Sequence, residues 1–266
     1  MKSTSKKNII NAVSILALGA ILSGGGIFLW QNQFTFNFTP QASTQDLQSV
    51  VLLGEKSNLS TDNYGQGVVD VLATKTPRTI EFIDQAEVHP PIASPRDQAV
   101  LAYNAMNRPI EGHVYFLLVL GKNAWIEGLE QQETIATTTA SIRKQVTDLV
   151  ELLAARPGAF PQGFTIFLAA FPDPLKGTGD AQHCGSDFPI REAKTIAETY
   201  KEITRTIEAL SVLYPEYIEV VPVNNAFSAH TLLDTESWFS DCVNLNAVGE
   251  QELSKRFLQV IEVANR

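Results

Sequence analysis

The sequence WFSDCVNLNAVG, residues 238–249, contains the most informative polar residues of this chain. Asn246 is a suitable N-cap, and residues 247–263 show the apolar spacing of a helix, so the segment predicts a loop that leads into the last helix. Two polar side chains, Asp241 and Asn244, lie three residues apart immediately before that helix. The loop is therefore expected to present Asp241 and Asn244 where the last helix begins.

The spacing of these two residues indicates an enzyme architecture without its base. An Asp-x-x-His pair at this place would supply the orienting acid and the general base of a serine hydrolase. Here the fourth residue is Asn244, and an amide has no useful pKa and cannot take a proton from a hydroxyl. The alternative is that Asp241 and Asn244 only cap and brace the loop.

Composition excludes several classes of function. The 266 residues suffice for one domain of roughly 200 residues and an appendage, and 44% of them are hydrophobic, which supports a real core. The net charge of −9 argues against a nucleic-acid partner. The two cysteines, Cys184 and Cys242, lack metal-ligand spacing, so we predict no metal site, and no cofactor is expected.

An apolar run from Ile9 to Trp30 follows a group of lysines at the N-terminus. At about 22 residues it is long enough to cross a bilayer, and its basic flank predicts a cytoplasmic N-terminus with the rest of the chain on the extracytoplasmic side. We favour an uncleaved single-pass anchor, and a cleaved signal peptide is the alternative. Residues 1–30 are thus the anchor or signal segment, residues 31–48 a tether, and residues 49–266 an exported domain.

Apolar runs of strand length alternate with helical stretches through the exported domain. Strands that are apolar on both faces and interleaved with helices are typical of a parallel sheet covered on both sides. We predict a three-layer α/β/α domain of about five parallel strands with its site at their carboxyl ends. The predicted strands are Val50–Leu53, Thr79–Ile83, Val114–Leu120, Phe164–Ala169 and Tyr217–Val221. The predicted helices are Gly65–Ala73, Arg96–Met106, Glu133–Ala155, Ile190–Leu213 and the helix that follows Asn246.

The segments after the predicted strands resemble, in their order, the sequence blocks of the SGNH (GDSL) hydrolase family. LGE (53–55) is similar to the first block, in which the first strand ends in Gly-Asp-Ser. GKN (121–123) is similar to the Gly-x-Asn-Asp of the third block, and DCVN (241–244) to the Asp-x-x-His of the fifth. The likeness covers about residues 50–264. It implies the flavodoxin-like SGNH fold and an ancestry among ester or acyl hydrolases.

The resemblance also implies roles for individual residues. Asn123 and Gly54 would stabilise an oxyanion, and Asp241 would orient the base. The segment near residues 84–89 should correspond to the second block, but it contains no glycine. Asn244 replaces the base histidine, so the resemblance implies a site that keeps an oxyanion donor and an acid without the imidazole between them.

The nucleophile is open between two residues. Direct counting from Gly54 puts Lys56 at the nucleophile position, whereas one extra residue in the loop would put Ser57 there. Lys56 and Asn244 then become candidate binding residues. A histidine elsewhere is a candidate for a displaced base, namely His89, His183 or His230, while His113 opens a strand and is expected to be a surface or structural residue.

Three functions follow from this sequence. The first is a membrane-anchored protein with an SGNH fold that has lost ordinary ester hydrolysis and binds a glycan, an acyl group or an unnamed protein partner. The second is a working esterase or acyl hydrolase that uses Ser57 with a displaced base. The third is a structural protein of the cell envelope. Export would also allow a Cys184–Cys242 disulfide, with two separate buried thiols as the alternative.

Overall fold

The computed structural model describes residues 47–56, 63–77, 79–87, 93–107, 109–130, 133–175 and 193–265. In this part of the chain, five strands form one sheet in the order β2-β1-β3-β4-β5, and every neighbouring pair is parallel. This confirms the predicted parallel sheet. The strands are β1 (Leu47–Gly54), β2 (Glu81–Asp84), β3 (His113–Leu120), β4 (Phe164–Ala170) and β5 (Ile218–Val220).

Helices cover both faces of the sheet, as expected for strands that are apolar throughout. Helices α1 and α7 pack against each other on one face, while α2, α3, α4 and α5 form a contiguous layer on the other. The three predicted layers are therefore confirmed. The helices of the described residues are α1 (Tyr64–Ala73), α2 (Pro95–Ala105), α3 (Lys122–Glu130), α4 (Ile135–Ala154), α5 (Ala193–Leu213), α6 (Asn224–Phe227) and α7 (Ala247–Ala264).

The core is centred on β3 and β4, in which every side chain is buried. Aromatic rings pack between neighbouring strands and between neighbouring helices. Tyr115 of β3 contacts Phe167 of β4 edge-on, with ring centroids 5.1 Å apart, and Tyr64 of α1 stacks on Phe257 of α7 at 5.4 Å. Strands buried on both faces cannot slip in register without exposing apolar surface, so the carboxyl ends of β1 and β3 are held in fixed relation.

The start of α3 corrects the sequence prediction. None of the predicted helices includes residues 121–130, but a helix begins at Lys122, directly after β3. Gly121 makes this abrupt turn with a φ of 119°, a backbone conformation that favours glycine. A Cβ at Gly121 would also lie only 3.0 Å from Cγ2 of Ile203.

The last helix follows the prediction. Asn246 is its N-cap and accepts a hydrogen bond from the backbone N–H of Gly249 at 3.0 Å. The predicted anchor (9–30) and nearly all of the tether lie outside the described residues. Among the helices that the structure describes, none is long and apolar enough to cross a bilayer.

Candidate functional site

The strand order places a crevice between the ends of β1 and β3. The chain leaves β1 towards α1 on one face of the sheet and leaves β3 towards α3 on the other. In an open parallel sheet, the point where successive connections depart to opposite faces leaves a gap at the carboxyl edge, and ligands bind there. The residues after Gly54 and Gly121 border this gap, which we call the switch-point crevice.

The carboxylate of Glu55 binds the first turn of α3. It accepts hydrogen bonds from the backbone N–H groups of Gly121, Lys122 and Asn123 at 3.3, 2.7 and 3.1 Å. These are N–H groups that a helix leaves unpaired at its N-terminus, where the helix dipole also favours a negative charge. Glu55 is only 5% exposed, so this contact fixes the end of β1 against the start of α3 from inside the protein.

Lys122 is the buried counter-charge of Glu55. Its side chain is almost fully enclosed, and Nζ donates to the backbone carbonyl of Lys56 at 2.9 Å. Burial lowers the pKa of Lys122, opposed by the charges of Glu55, Asp241 and Glu250. Burial likewise raises the pKa of Glu55, opposed by Lys122 and the three backbone N–H groups. The two charges therefore compensate each other where water is excluded.

Lys56, one candidate for the nucleophile position, is directed towards the end of β2. Its Nζ forms an ion pair with Oδ2 of Asp84 at 2.8 Å. The side-chain amide of Asn63 donates to the same oxygen at 2.8 Å, and Asn63 also caps α1. Lys56 is thus held by the α1 side of the crevice. Ser57, the other candidate, lies outside the described residues.

Gly54 permits the close approach of β1 and β3. It has a φ of 80°, and a Cβ there would collide with the carbonyl oxygen of Val119. Its backbone N–H donates to Oε1 of Gln98, and Nε2 of Gln98 donates back to the Gly54 carbonyl at 3.3 Å. The proposed oxyanion role of Gly54 stays a prediction, and its N–H is already engaged by Gln98.

Asn123 offers an unpaired amide. Its backbone N–H binds Glu55, but neither Oδ1 nor Nδ2 of its side chain has a hydrogen-bond partner among the described residues. The residue is 5% exposed, and leaving a buried polar group unpaired costs free energy. Both atoms are inaccessible in this structure, so a ligand oxygen could reach the amide only if neighbouring atoms moved.

The side chains of Asp241 and Asn244 are paired with each other. Oδ1 of Asp241 accepts from the backbone N–H groups of Val243 and Asn244, both at 2.8 Å, and Oδ2 accepts from Nδ2 of Asn244 at 2.8 Å. These contacts brace the loop, which is the alternative that the sequence left open for Asp241 and Asn244. The negative charge of Asp241 favours the charged form of Lys122 and opposes the lowering of the Lys122 pKa by burial.

Comparison with known proteins gives the fold but no close relative. No family model matches the chain, and no curated protein matches it. The structure of the extracellular lipase from Streptomyces rimosus matches with a TM-score of 0.53 at 17% identity, covering 82% of this chain and 99% of the lipase. The phospholipase A1 from Streptomyces albidoflavus matches with a TM-score of 0.51 at 14% identity, covering 82% of this chain and 99% of that enzyme. A lipase from a goat rumen metagenome matches with a TM-score of 0.52 at 12% identity, covering 82% and 97%.

The chain has the SGNH hydrolase fold. Within this SGNH fold, GKN (121–123) lies directly after β3 at the carboxyl edge of the sheet, and DCVN (241–244) precedes α7. The sequence did not indicate that Glu55 and Lys122 border the switch-point crevice. The signal that could have found Glu55 is a carboxylate placed directly after a strand that is apolar on both faces.

Two of the four histidines of this SGNH-fold chain are described, and they differ in position. His113 opens β3 at the amino edge of the sheet, roughly 23 Å of strand away from the crevice. It is buried and bound to the Gln162 carbonyl and the Thr165 hydroxyl, as expected for a structural residue. His230 stacks on Trp238 at 3.9 Å, next to the loop of Asp241. His89 and His183 lie outside the described residues.

Cys242 is buried and disulfide-bonded. The chain contains one other cysteine, Cys184, which lies outside the described residues. The bond supports the predicted disulfide rather than two separate thiols. Because Cys242 lies between Asp241 and Asn244, the covalent link restrains the same loop that the Asp241 carboxylate organises.

Proposed function

We propose that this chain is an exported, membrane-tethered protein of SGNH fold that binds an ester, acyl or glycan ligand in its switch-point crevice and lacks ordinary ester hydrolysis. The observation that carries the proposal is the pairing of Asp241 with the amide of Asn244. An amide that donates to the acid in this way has no lone pair on nitrogen with which to accept a proton from a hydroxyl.

The absence of a base histidine strongly lowers the expected rate of turnover. Removal of the base of a catalytic triad costs on the order of a million-fold in turnover and leaves roughly a thousand-fold over water from binding and the oxyanion donors. Without an imidazole, the Ser57 hydroxyl keeps the high pKa of an alcohol and stays protonated at neutral pH. Lys56 supplies no replacement, because its ammonium group is paired with Asp84.

Ligand binding is supported by the unpaired amide of Asn123. Its backbone N–H is held by Glu55, which fixes the position of the Asn123 backbone at the start of α3. Once a small movement exposes the amide, pairing it with a carbonyl oxygen would remove the cost of leaving buried polar atoms without partners. The crevice is thus suited to hold an acyl or acetyl group without cleaving it.

The tether is proposed from the sequence alone. The run from Ile9 to Trp30 and its basic flank favour a single-pass anchor with the SGNH-fold domain on the extracytoplasmic side. The disulfide at Cys242 supports export, since disulfides persist in oxidising compartments and are rare in the cytosol. Such a domain could contact soluble ligands as well as components of the cell envelope.

The central test is hydrolysis of p-nitrophenyl butyrate by the full-length protein and by its Ser57→Ala variant. We expect equal rates, because Ser57 has no base. A wild-type rate well above that of Ser57→Ala, with a pH profile that rises near pH 6 to 7 as for a histidine base, would overturn the proposal.

A second assay tests binding without turnover. Butyramide carries the same acyl group on a bond that does not hydrolyse under these conditions, and saturation-transfer NMR should detect its contact with the wild-type protein. The Asn123→Leu variant should lose that signal, while Asn107→Leu, which alters an exposed asparagine bound to Glu81 at the amino end of β2, should keep it. If neither protein binds butyramide, the domain has a structural role in the envelope instead.

The alternative of an active esterase is favoured by one observation at His230. Its Nδ1 faces the carbonyl oxygen of Glu236 at 3.0 Å, and a carbonyl only accepts, so Nδ1 carries the proton. The neutral ring then has its lone pair on Nε2, which is the tautomer that a general base requires. If wild-type hydrolysis exceeds that of Ser57→Ala, the His230→Ala variant decides whether His230 is the displaced base.

A further inference from the structure

Exposed apolar side chains gather at the amino edge of the sheet. A helix that connects two parallel strands returns the chain from the carboxyl edge to the amino edge, so α1 and α5 end there. The last helix ends there too, because Asn265 directly after α7 accepts from the Tyr115 hydroxyl near the start of β3 at 3.0 Å. Four of the seven large hydrophobic residues that are exposed in the described ranges lie in the last turn of these helices: Val71, Val212, Leu213 and Val263.

The ends of these three helices border one another. A shallow depression lined by Pro215, Tyr217 and Ala264 lies between the end of α5 and the end of α7. Lys75, just after α1, forms an ion pair with Glu262 in the last turn of α7. Single exposed valines need no explanation, whereas apolar side chains grouped on one surface indicate contact with a partner or a membrane. We call this group the amino-edge patch; its members are Val71, Val212, Leu213 and Val263.

The chain enters the domain at the same edge. Leu47 begins β1 and pairs in register with His113, the first residue of β3. Residues 31–46 are all that separates Leu47 from Trp30, the last residue of the proposed anchor. A chain of that length spans at most about 60 Å when fully extended, which limits how far the amino edge can lie from the anchor. The carboxyl edge, with the switch-point crevice, lies about 23 Å farther along the strands.

We propose that the amino-edge patch docks on the surface of the bilayer that holds the N-terminal run, so that the switch-point crevice is directed away from the membrane. This inference rests on the membrane tether of the proposed function. A short connection keeps the patch at an effective concentration on the order of millimolar at the bilayer, so a contact that would be weak for a free domain suffices. Tyr217, stacked on Phe164 beside the patch, is of a residue type that is enriched where protein meets the headgroup region.

The charges beside the patch favour lipids without net charge. Glu216 and Glu219 are exposed next to Tyr217, and the ammonium group of Lys75 is paired with Glu262. Anionic headgroups attract clusters of lysine and arginine and repel carboxylates. Apolar side chains, rather than basic ones, would therefore hold this edge on the membrane, and its partner is a bilayer of zwitterionic or uncharged headgroups.

Full-length protein reconstituted in phosphatidylcholine vesicles tests the proposal. A cysteine introduced as Val263→Cys is labelled with the fluorophore NBD while the native disulfide stays oxidised, and lipids with a nitroxide near the headgroup quench the label on contact. The matched control is Val248→Cys, an exposed valine on the same helix (54% against 68%) that lies about 22 Å away, at the end of α7 next to the carboxyl edge. We expect severalfold stronger quenching at position 263 than at position 248.

A second pair of variants tests the apolar contact itself. Val212→Asp/Leu213→Asp places two charges in the amino-edge patch and should remove most of the quenching of the label at position 263. Both side chains are exposed, so the melting temperature should stay close to that of the wild type. Leu233→Asp alters an exposed leucine outside the patch and should leave the quenching unchanged. Replacing part of the phosphatidylcholine by phosphatidylglycerol should weaken the quenching.

The possible failures are distinguishable. Equal quenching at positions 248 and 263 in protein that floats with the vesicles would overturn the docking and leave the anchor intact. A label at position 263 that is shielded from water but not quenched by the lipids would overturn it in favour of a second copy of the chain on the patch. Protein that does not float with the vesicles would refute the anchor, and the docking with it. Butyramide binding at the switch-point crevice is independent of all three results.

Discussion

The side-chain amide of Asn244 donates to Oδ2 of Asp241 at 2.8 Å, while Oδ1 of the same carboxylate receives two backbone N–H groups. Both oxygens of the acid are thus occupied by neighbours within three residues. In a working triad, one of these oxygens would hold an imidazole in the orientation that allows proton transfer. Here the carboxylate organises its own loop instead.

This pairing predicts the result of rebuilding the triad. If Lys56 occupies the nucleophile position, Asn244→His alone should leave hydrolysis of p-nitrophenyl butyrate at background, because no hydroxyl then faces the new imidazole. The double variant Lys56→Ser/Asn244→His should exceed both single variants by on the order of tenfold or more, since a positioned base contributes at least a hundred-fold when geometry is good. Initial rates of all four proteins decide it. Activity in Asn244→His alone would identify Ser57 as the residue that faces the crevice.

Glu55 should matter for stability far more than an exposed acid. Glu55→Ala leaves three N–H groups of α3 without their carboxylate and removes the acidic charge that most favours the buried ammonium of Lys122, so we expect a loss of about 3–5 kcal/mol in the free energy of unfolding. The control is Glu262→Ala, which removes an exposed carboxylate paired with Lys75 and should cost less than about 1 kcal/mol. Urea denaturation measures both. Equal losses would contradict the capping role of Glu55.

The raised pKa of Glu55 also predicts a direction of pH dependence. A carboxyl whose pKa is higher in the folded than in the unfolded state binds more protons when folded, so its contribution to stability falls as pH rises above the ordinary value of 4.5 and through the folded-state pKa. The stability of wild type relative to Glu55→Gln should therefore decrease from pH 4.5 upwards. Melting temperatures of both proteins across this range provide the measurement. A relative stability that increases with pH would mean that Lys122 and the backbone N–H groups outweigh burial.

The disulfide at Cys242 should stabilise the exported domain substantially. If Cys184 is its partner, the bond closes a loop of roughly 60 residues, for which the loss of unfolded-state entropy corresponds to about 4 kcal/mol. Cys242→Ala should lose about that much, and dithiothreitol should destabilise the wild type without affecting the variant. A variant that matches oxidised wild type would show that the bond does not constrain the unfolded chain.

The N-terminal run is expected to keep the protein in the membrane. After cell fractionation, full-length protein should remain in the pellet through a high-salt wash, because an apolar span is held by the bilayer and not by surface charge. Deletion of residues 9–30 should release it. A mature form that begins near Gly26 or later and is found soluble outside the cell would show instead that the run is a cleaved signal peptide.

The fold was largely accessible from sequence. Runs such as Val114–Leu120 and Phe164–Ala169 are apolar on both faces, which only a parallel sheet between two helical layers can bury, and the cap at Asn246 is a local hydrogen bond that adjacent residues specify. The helix that begins at Lys122 was not predicted, because its cap is not a local hydrogen bond. Its N-terminus is capped by Glu55, 67 residues earlier in the chain, and no local pattern contains that partner.

In the candidate site too, contacts between nearby residues were predictable from sequence and contacts between distant residues were not. That Asn244 replaces a histidine is a fact of the sequence, and the pairing with Asp241 follows from a separation of three residues. Tertiary structure alone decided that Glu55 and Lys122 are buried together and that the Asn123 amide finds no hydrogen-bond partner among the described residues. Burial and hydrogen bonding depend on which strand ends and helix faces pack together in three dimensions. A sequence pattern that predicts each helix or strand therefore cannot predict the tertiary contacts of its side chains.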